Sequence, residues 1–339
     1  MKAIAPVKQK VDRDNIGGLP PLIMGGATLN TQYNDDPTRV PLVSMLRYAM
    51  DHGIRGIDTS PYYGPSETLY GNALDAIKDE YARDTYYICT KVGRIRLDEF
   101  DYTREHVRFS VQRSCARLKT TYLDLVYLHD VEFVELSQIF EALEELRSLK
   151  DEGIIRNFGL SGYPVPFLQY VAEKCCSIES IGPLDAVLSY CNLNLQNTIL
   201  HDYYDRFKKD SHIKCLSNGS ILSMSLLRSE ETKSFHPCSQ GLRDCAFKAA
   251  KFTQDSYNVE LADLATRFAI KEWIGKGPTV LGVSNIEELK TALTNYWAVV
   301  DNDNELSAED QTMVDKIQKD IFAERMNEIW ESGIPHNME

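Results

Sequence analysis

The feature that most constrains this chain is an alternation of short apolar runs with longer stretches of helical periodicity, sustained from end to end. The runs are LPPLIMGG (19–26), RGIDTS (55–60), TYYICTKVG (85–93), LDLVYLHD (123–130), IRNFGLSG (155–162), LDAVLSYCN (184–192), IKCLSNGS (213–220) and PTVLGVS (278–284). Their apolar character is nearly unbroken, which marks strands buried on both faces, as in parallel sheets covered by helices. Helical patterns follow each run: near 40–53, 66–79 and 103–118, the last opened by a Thr103 cap, with two more helices between 241 and 275. In SQIFEALEELRSLKDEG (137–153), Ile139, Leu143, Leu146 and Leu149 share one helix face. Eight such units, without a linker or a low-complexity segment, predict one α/β domain over 1–339, a closed (β/α)8 TIM barrel rather than an open doubly wound sheet. Residues 1–15 read as a flexible N-terminal tail.

Charge and cysteine content narrow the function classes. A formal net charge of −13 would repel a nucleic-acid backbone or an anionic membrane. Basic residues do not cluster either: Arg94 and Arg96 are followed at once by Asp98, Glu99 and Asp101. The eight cysteines show neither CxxC pairs nor metal-ligand spacing, so no metal is expected, and several sit in apolar runs as small hydrophobes. No apolar run reaches the roughly 20 residues of a membrane helix, and no signal core opens the chain. The expectation is a cytoplasmic protein, a monomer or weak homo-oligomer, with a small-molecule partner.

A barrel places functional residues at the C-terminal ends of its strands. Polar residues do collect there: Asp58 at the second strand, Lys91 at the third, His129 at the fourth, Ser161 at the fifth, Ser220 at the seventh, Ser284 and Asn285 at the eighth. Taken singly, such a lysine is usually a solvated rim residue, such an aspartate a helix cap and such a histidine a satisfied structural group. Together, with Tyr63 five residues after Asp58, they make a reaction centre. An ammonium beside a phenol favours the phenolate and lowers a pKa normally near 10. That would make Tyr63 usable as a general acid and base. Asp58 would hold Lys91 charged, and His129 would orient a substrate oxygen.

The segment GIRGIDTSPYYGPSETLYG (53–71), with Asp58, Tyr63, Glu67 and Gly71, resembles the signature of the aldo-keto reductases, NAD(P)-dependent oxidoreductases built on (β/α)8 barrels. ICTKVG adds the family's lysine and LVYLHD its histidine. The resemblance runs from LIMGGATLN to VLGVSNIEELKTAL. It implies Tyr63 as the general acid/base, Lys91 and Asp58 as its tuning pair, and His129 as the residue that positions substrate. Tyr62 is the other candidate acid; the offset from Asp58 favours Tyr63. The stretches SPYYGPSE, LDAVLSYCNLNLQN and SILSMSLLRS resemble fungal members that use NAD to oxidise a D-arabinose-like aldose at C1 to its aldono-1,4-lactone, a step towards erythroascorbate. Related plant members do the same to L-galactose. Alternatives left open are an NADPH-dependent aldehyde or ketone reductase using the same residues, and a channel-associated regulatory subunit of this fold. A glycosidase would need paired strand-end carboxylates, and only Asp58 qualifies clearly.

No GxGxxG opens a helix, so a Rossmann cofactor site is absent. The resemblance instead implies a dinucleotide extended over the barrel mouth, near Gly26, Ser161, Gly162, Gly219, Ser220, Leu222, Ser284, Asn285 and Glu288. Three positions depart from the family's pattern. An aromatic shelf for the nicotinamide is replaced by Gly219, an asparagine after Ser161 by Gly162, and a sixth-strand glutamine by Val187. Where NADP-preferring members carry an arginine, this chain has Glu288, which would repel a 2′-phosphate and could accept a hydrogen bond from a ribose hydroxyl. NAD is therefore expected over NADP, although Glu287 and Glu288 also suit the first turn of a helix. Tyr62 and Tyr33, with His129, are the expected substrate contacts.

Overall fold

A computed structural model describes residues 2–338. Its eight parallel strands close into one barrel: β1 (Leu22–Gly25), β2 (Gly56–Asp58), β3 (Tyr87–Val92), β4 (Leu123–His129), β5 (Ile155–Gly162), β6 (Ala186–Tyr190), β7 (Cys215–Gly219) and β8 (Thr279–Gly282). Closure is made by β8, which pairs Val280 with Gly219 on one side and Gly282 with Gly25 on the other. All eight expected runs become strands. Helices α1 (Leu42–Asp51), α2 (Ser66–Ala76), α3 (Arg104–Arg117), α4 (Leu136–Asp151), α5 (Val165–Cys175) and α6 (Ile199–Lys209) connect the first seven, and α7 (Gln240–Tyr257) and α8 (Leu261–Trp273) lead into β8. Two more, α9 (Ile286–Val300) and α10 (Ala308–Lys316), follow it. Thr103 caps α3 by accepting from the His106 amide, and the four apolar positions of α4 are fully buried.

Strand alternation divides the core in two. Outward side chains such as Ile57, Val126, Phe158 and Val187 pack against the helices. Inward ones, including Ile23, Cys89, Tyr127, Leu188, Cys215 and Val280, fill the barrel. Further along the strands, the same parity turns Asp58, Lys91, His129, Tyr190, Gly219, Gly282 and Gly25 into the mouth. One side of the mouth, β2 to β4, is thus charged. The other, on the adjacent strands β7, β8 and β1, is faced with glycine.

The N-terminal segment is not the free tail its polar composition suggests. Ile4 and Val11 donate backbone hydrogen bonds to His52 and Asp84, and Asn157 on β5 donates its side-chain amide to the Arg13 carbonyl. Val11 and Ile16 are buried against Tyr87 and Leu125, plugging the floor of the barrel. Two apolar residues in a polar run are too few to register as an amphipathic pattern, yet they suffice to seal an otherwise open end. Met1 lies outside the described residues.

Candidate active site

The side chains of Lys91 and Asp58 are 2% and 4% exposed, too buried for a rim lysine or a solvated cap. Lys91 Nζ donates to Asp58 Oδ1 at 2.5 Å and to the Thr59 carbonyl at 3.1 Å. Burial alone would discharge the ammonium, but the Asp58 carboxylate and the Tyr63 phenol outweigh it and hold Lys91 above its usual range. The ammonium lies 4.9 Å from the centre of the Tyr63 ring. Lys91 therefore addresses Tyr63, while Tyr62 lies under the Arg94 guanidinium at 4.2 Å.

His129 stands edge-on to Tyr63, ring centres 5.6 Å apart, and its Nδ1 meets Ser60 Oγ at 3.0 Å. Burial, with Lys91 and Arg94 nearby, pushes its pKa far below the ordinary value, so the imidazole is neutral. Tyr63 departs from expectation. Lys91 pulls its pKa down as anticipated, but burial, helped by Asp58 and Asp130, wins, and the phenol is raised.

The local sequence explains the arrangement. Ser60 Oγ also accepts from the Tyr62 amide at 3.1 Å, bending the chain after β2 so that both tyrosines face inward. Glu67, fully buried on α2, accepts from Thr90 at 2.8 Å and Arg117 at 3.2 Å, tying α2 to β3 and α3. A Cβ on Gly71 would stand 1.9 Å from the Arg117 carbonyl oxygen, so only glycine lets α2 approach α3 this closely. The spacing of the signature segment is thus a packing requirement that aims Tyr63.

Three residues of the mouth have no site role in the sequence reading. Asp130 adopts a left-handed conformation and its carboxylate pairs with Arg94. Burial raises Asp130, with Arg94 and Lys91 pulling the other way. Arg94 belongs to a small hairpin after β3, Arg94–Arg96 paired with Glu99–Phe100. Glu132, 1% exposed, fills the space beside Gly162: a Cβ there would lie 2.3 Å from Glu132 Oε2. The glycine that departs from the family pattern is therefore the partner of a buried carboxyl. The one available signal was the acid directly following a strand-end histidine in LHD.

The other expected residues are distributed as follows. Tyr33, on the loop after β1, packs edge-on to Phe235, and Tyr63 and Tyr62 are close enough to add to the upward push that burial gives its phenol. The structure thus brings it to the mouth with Tyr62 and Tyr63. Ser161 is buried with its hydroxyl donated to the Leu128 carbonyl at 3.1 Å. Gly26 meets α2, where a Cβ would collide with Ser66. Gly219 pairs with Tyr190, which is part-buried and points into the mouth. Ser220 opens a bend in which Ser220, Ser223, Met224 and Ser225 all have positive φ, with Leu222 among them. Such left-handed turns gather backbone N–H groups into anion-holding concavities. Asn285 caps α9 by accepting from the Glu288 amide at 2.9 Å. Glu288 in return accepts from the Ser284 amide and the Asn285 side chain, both at 2.7 Å. Its carboxylate is thereby committed to the cap.

A family model described as Aldo/keto reductase family matches residues 21–319. The chain belongs to the aldo/keto reductase family. It is 60% identical over 331 residues to the D-arabinose 1-dehydrogenase of Saccharomyces cerevisiae, covering 97% of this chain and 98% of that protein. It is 32% identical over 300 residues to the L-galactose dehydrogenase of Arabidopsis thaliana, covering 87% and 88%. Among solved structures, a glycerol dehydrogenase from Gluconobacter oxydans superimposes with a TM-score of 0.63 at 18% identity, covering 94% of this chain and 96% of that one. That likeness speaks for the fold alone.

Proposed function

We propose that the protein oxidises the cyclic form of a D-arabinose-like aldose at C1, giving the aldono-1,4-lactone, with NAD as the hydride acceptor. The observation that carries this reading is the buried Asp58–Lys91 pair addressing Tyr63 beside a neutral His129, in a chain so similar along its whole length to a D-arabinose 1-dehydrogenase. The glycine-faced side of the mouth leaves room for a flat ring across from Tyr63, and the bend after β7 suits a pyrophosphate, so these residues fit a nicotinamide dinucleotide. That cofactor supplies the acceptor for the hydrogen leaving C1.

The protein's own part is proton handling and orientation. His129 holds the C1 hydroxyl through the nitrogen not engaged by Ser60. Tyr63 takes the hydroxyl proton as the C1–H bond breaks, and the C1–O bond becomes the lactone carbonyl. Lys91 favours the phenolate that this step requires, and Asp58 keeps Lys91 charged. At α9, Glu287 is paired with Lys290 and Glu288 is held in the cap; the acidic first turn and the lack of an arginine at position 288 favour NAD over NADP.

The test is the initial rate of NAD reduction with D-arabinose, L-galactose, L-fucose and D-xylose, for the wild type and Tyr63→Phe. D-arabinose should lead the panel. The variant should lose about a hundredfold or more of kcat while still binding NAD. A variant that turns over normally would remove Tyr63 from the proton step, and a panel without turnover would remove the aldose.

A further inference from the structure

The mouth holds a second charged pair that the proton step does not use. Asp130 follows His129 directly and has φ 58° and ψ 60°, a left-handed conformation that aspartate tolerates better than most residues. Its side chain is 5% exposed and that of its partner Arg94 is 11% exposed. The guanidinium lies over the Tyr62 ring, 4.2 Å from its centre, with the Phe100 and Phe133 rings at 5.3 and 5.5 Å. Buried ion pairs contribute little stability over apolar side chains of the same volume. A reason for keeping this one lies in where it points.

Asp130 Oδ2 is 3.6 Å from His129 Nε2. That is too long for a hydrogen bond, so the carboxylate is not engaged in orienting the imidazole. Nδ1 of the same ring meets Ser60 Oγ at 3.0 Å, which leaves Nε2 as the nitrogen free to hold a substrate oxygen. A carboxylate thus stands immediately beside the place of the reacting hydroxyl. Neighbouring hydroxyls on a sugar ring lie about a hydrogen-bond length apart, so the oxygen on the next carbon falls within reach of Asp130. An ionised carboxylate only accepts hydrogen bonds, and a hydroxyl can donate one.

We propose that Asp130, braced by Arg94, determines substrate specificity by accepting a hydrogen bond from the C2 hydroxyl of the aldose. This rests on C1 oxidation as the reaction. A substrate lacking that hydroxyl leaves a buried charge without its partner and is rejected, which is how sites built on polar contacts discriminate most strongly.

The test compares D-arabinose with 2-deoxy-D-ribose, which is D-arabinose without its C2 hydroxyl, for the wild type, Asp130→Asn and Arg94→Met. The wild type should prefer D-arabinose. Asp130→Asn should lose about ten- to a hundredfold of kcat/KM on D-arabinose and several-fold less on the deoxy sugar, so that the preference narrows. Arg94→Met, which keeps the apolar packing, should narrow it in the same direction. Thermal stability and NAD affinity report on folding independently of turnover. Equal losses on both sugars would show that Asp130 acts through His129 or through the fold and would overturn the proposal, as would a wild type indifferent to the C2 hydroxyl. Absence of turnover on any aldose would instead bring down the C1 reading, and this inference with it.

Discussion

Tyr63 is subject to two opposed influences, and their balance sets the direction of its pH dependence. Burial raises its pKa and Lys91 lowers it, with burial the larger. The phenol is therefore protonated at neutral pH, whereas oxidation of an alcohol needs the phenolate. Aldose oxidation should accordingly rise as pH increases into the alkaline range, and carbonyl reduction by the same residues should fall. Lys91→Met removes the group that favours the phenolate, so its oxidation limb should move to higher pH, with kcat/KM at pH 7 down by about a hundredfold or more. Profiles of kcat/KM against pH for both proteins check this; an unmoved limb would mean that another group titrates. That Tyr63 and Lys91 stand together was legible because strand ends and loop offsets are properties of sequence. The sign of the shift was not, because desolvation depends on what the whole mouth excludes from water.

The elements followed the sequence closely where hydrophobic periodicity spoke, in all eight strands and in α4, whose buried face is the one its spacing predicts. They followed it less well where a side chain answers a backbone. Glu288 reads as a ligand to a ribose hydroxyl and also as a first-turn acid, and nothing in the sequence separates the two. In the fold, Asn285 and Glu288 cap α9 reciprocally, so the carboxylate is engaged in closing the helix. The two contributions can be separated by experiment. Glu288→Gln keeps a capping acceptor and removes the charge; Glu288→Arg removes both and adds a cation. The arginine variant should shift the ratio of kcat/KM for NAD and NADP towards NADP by about tenfold or more, at a cost of about 1 kcal/mol in stability from the lost cap. The glutamine variant should shift the ratio less and leave stability nearly unchanged. An unchanged ratio in both would remove α9 from cofactor choice.

Across the whole molecule, both chain ends are recruited to the barrel, one beneath it and one above. The N-terminal segment seals the floor through Val11 and Ile16. At the other end, Trp330 stacks on Tyr163 with ring centres 4.3 Å apart and His336 on Phe167 at 3.9 Å. Both of these flank Glu132, whose carbonyl accepts from the Ile334 amide at 2.9 Å and whose carboxyl accepts from Ser332 and the Tyr163 amide at 3.1 Å each. No sequence period announces such a segment, because it docks by single contacts rather than by a face. Burial, reinforced by Asp130, pushes the Glu132 carboxyl up to about 8 from an ordinary value of 4.5. The folded protein therefore keeps a proton that the unfolded chain releases near 4.5, and stability contributed by this group is present below that pH and lost as pH rises towards 8. Glu132→Gln cannot ionise and should escape the loss. Its Tm should stay close to that of the wild type at pH 5 and exceed it by about a few degrees at pH 9, with the gap opening between those values. A gap that is constant across the range would show that Glu132 does not titrate there.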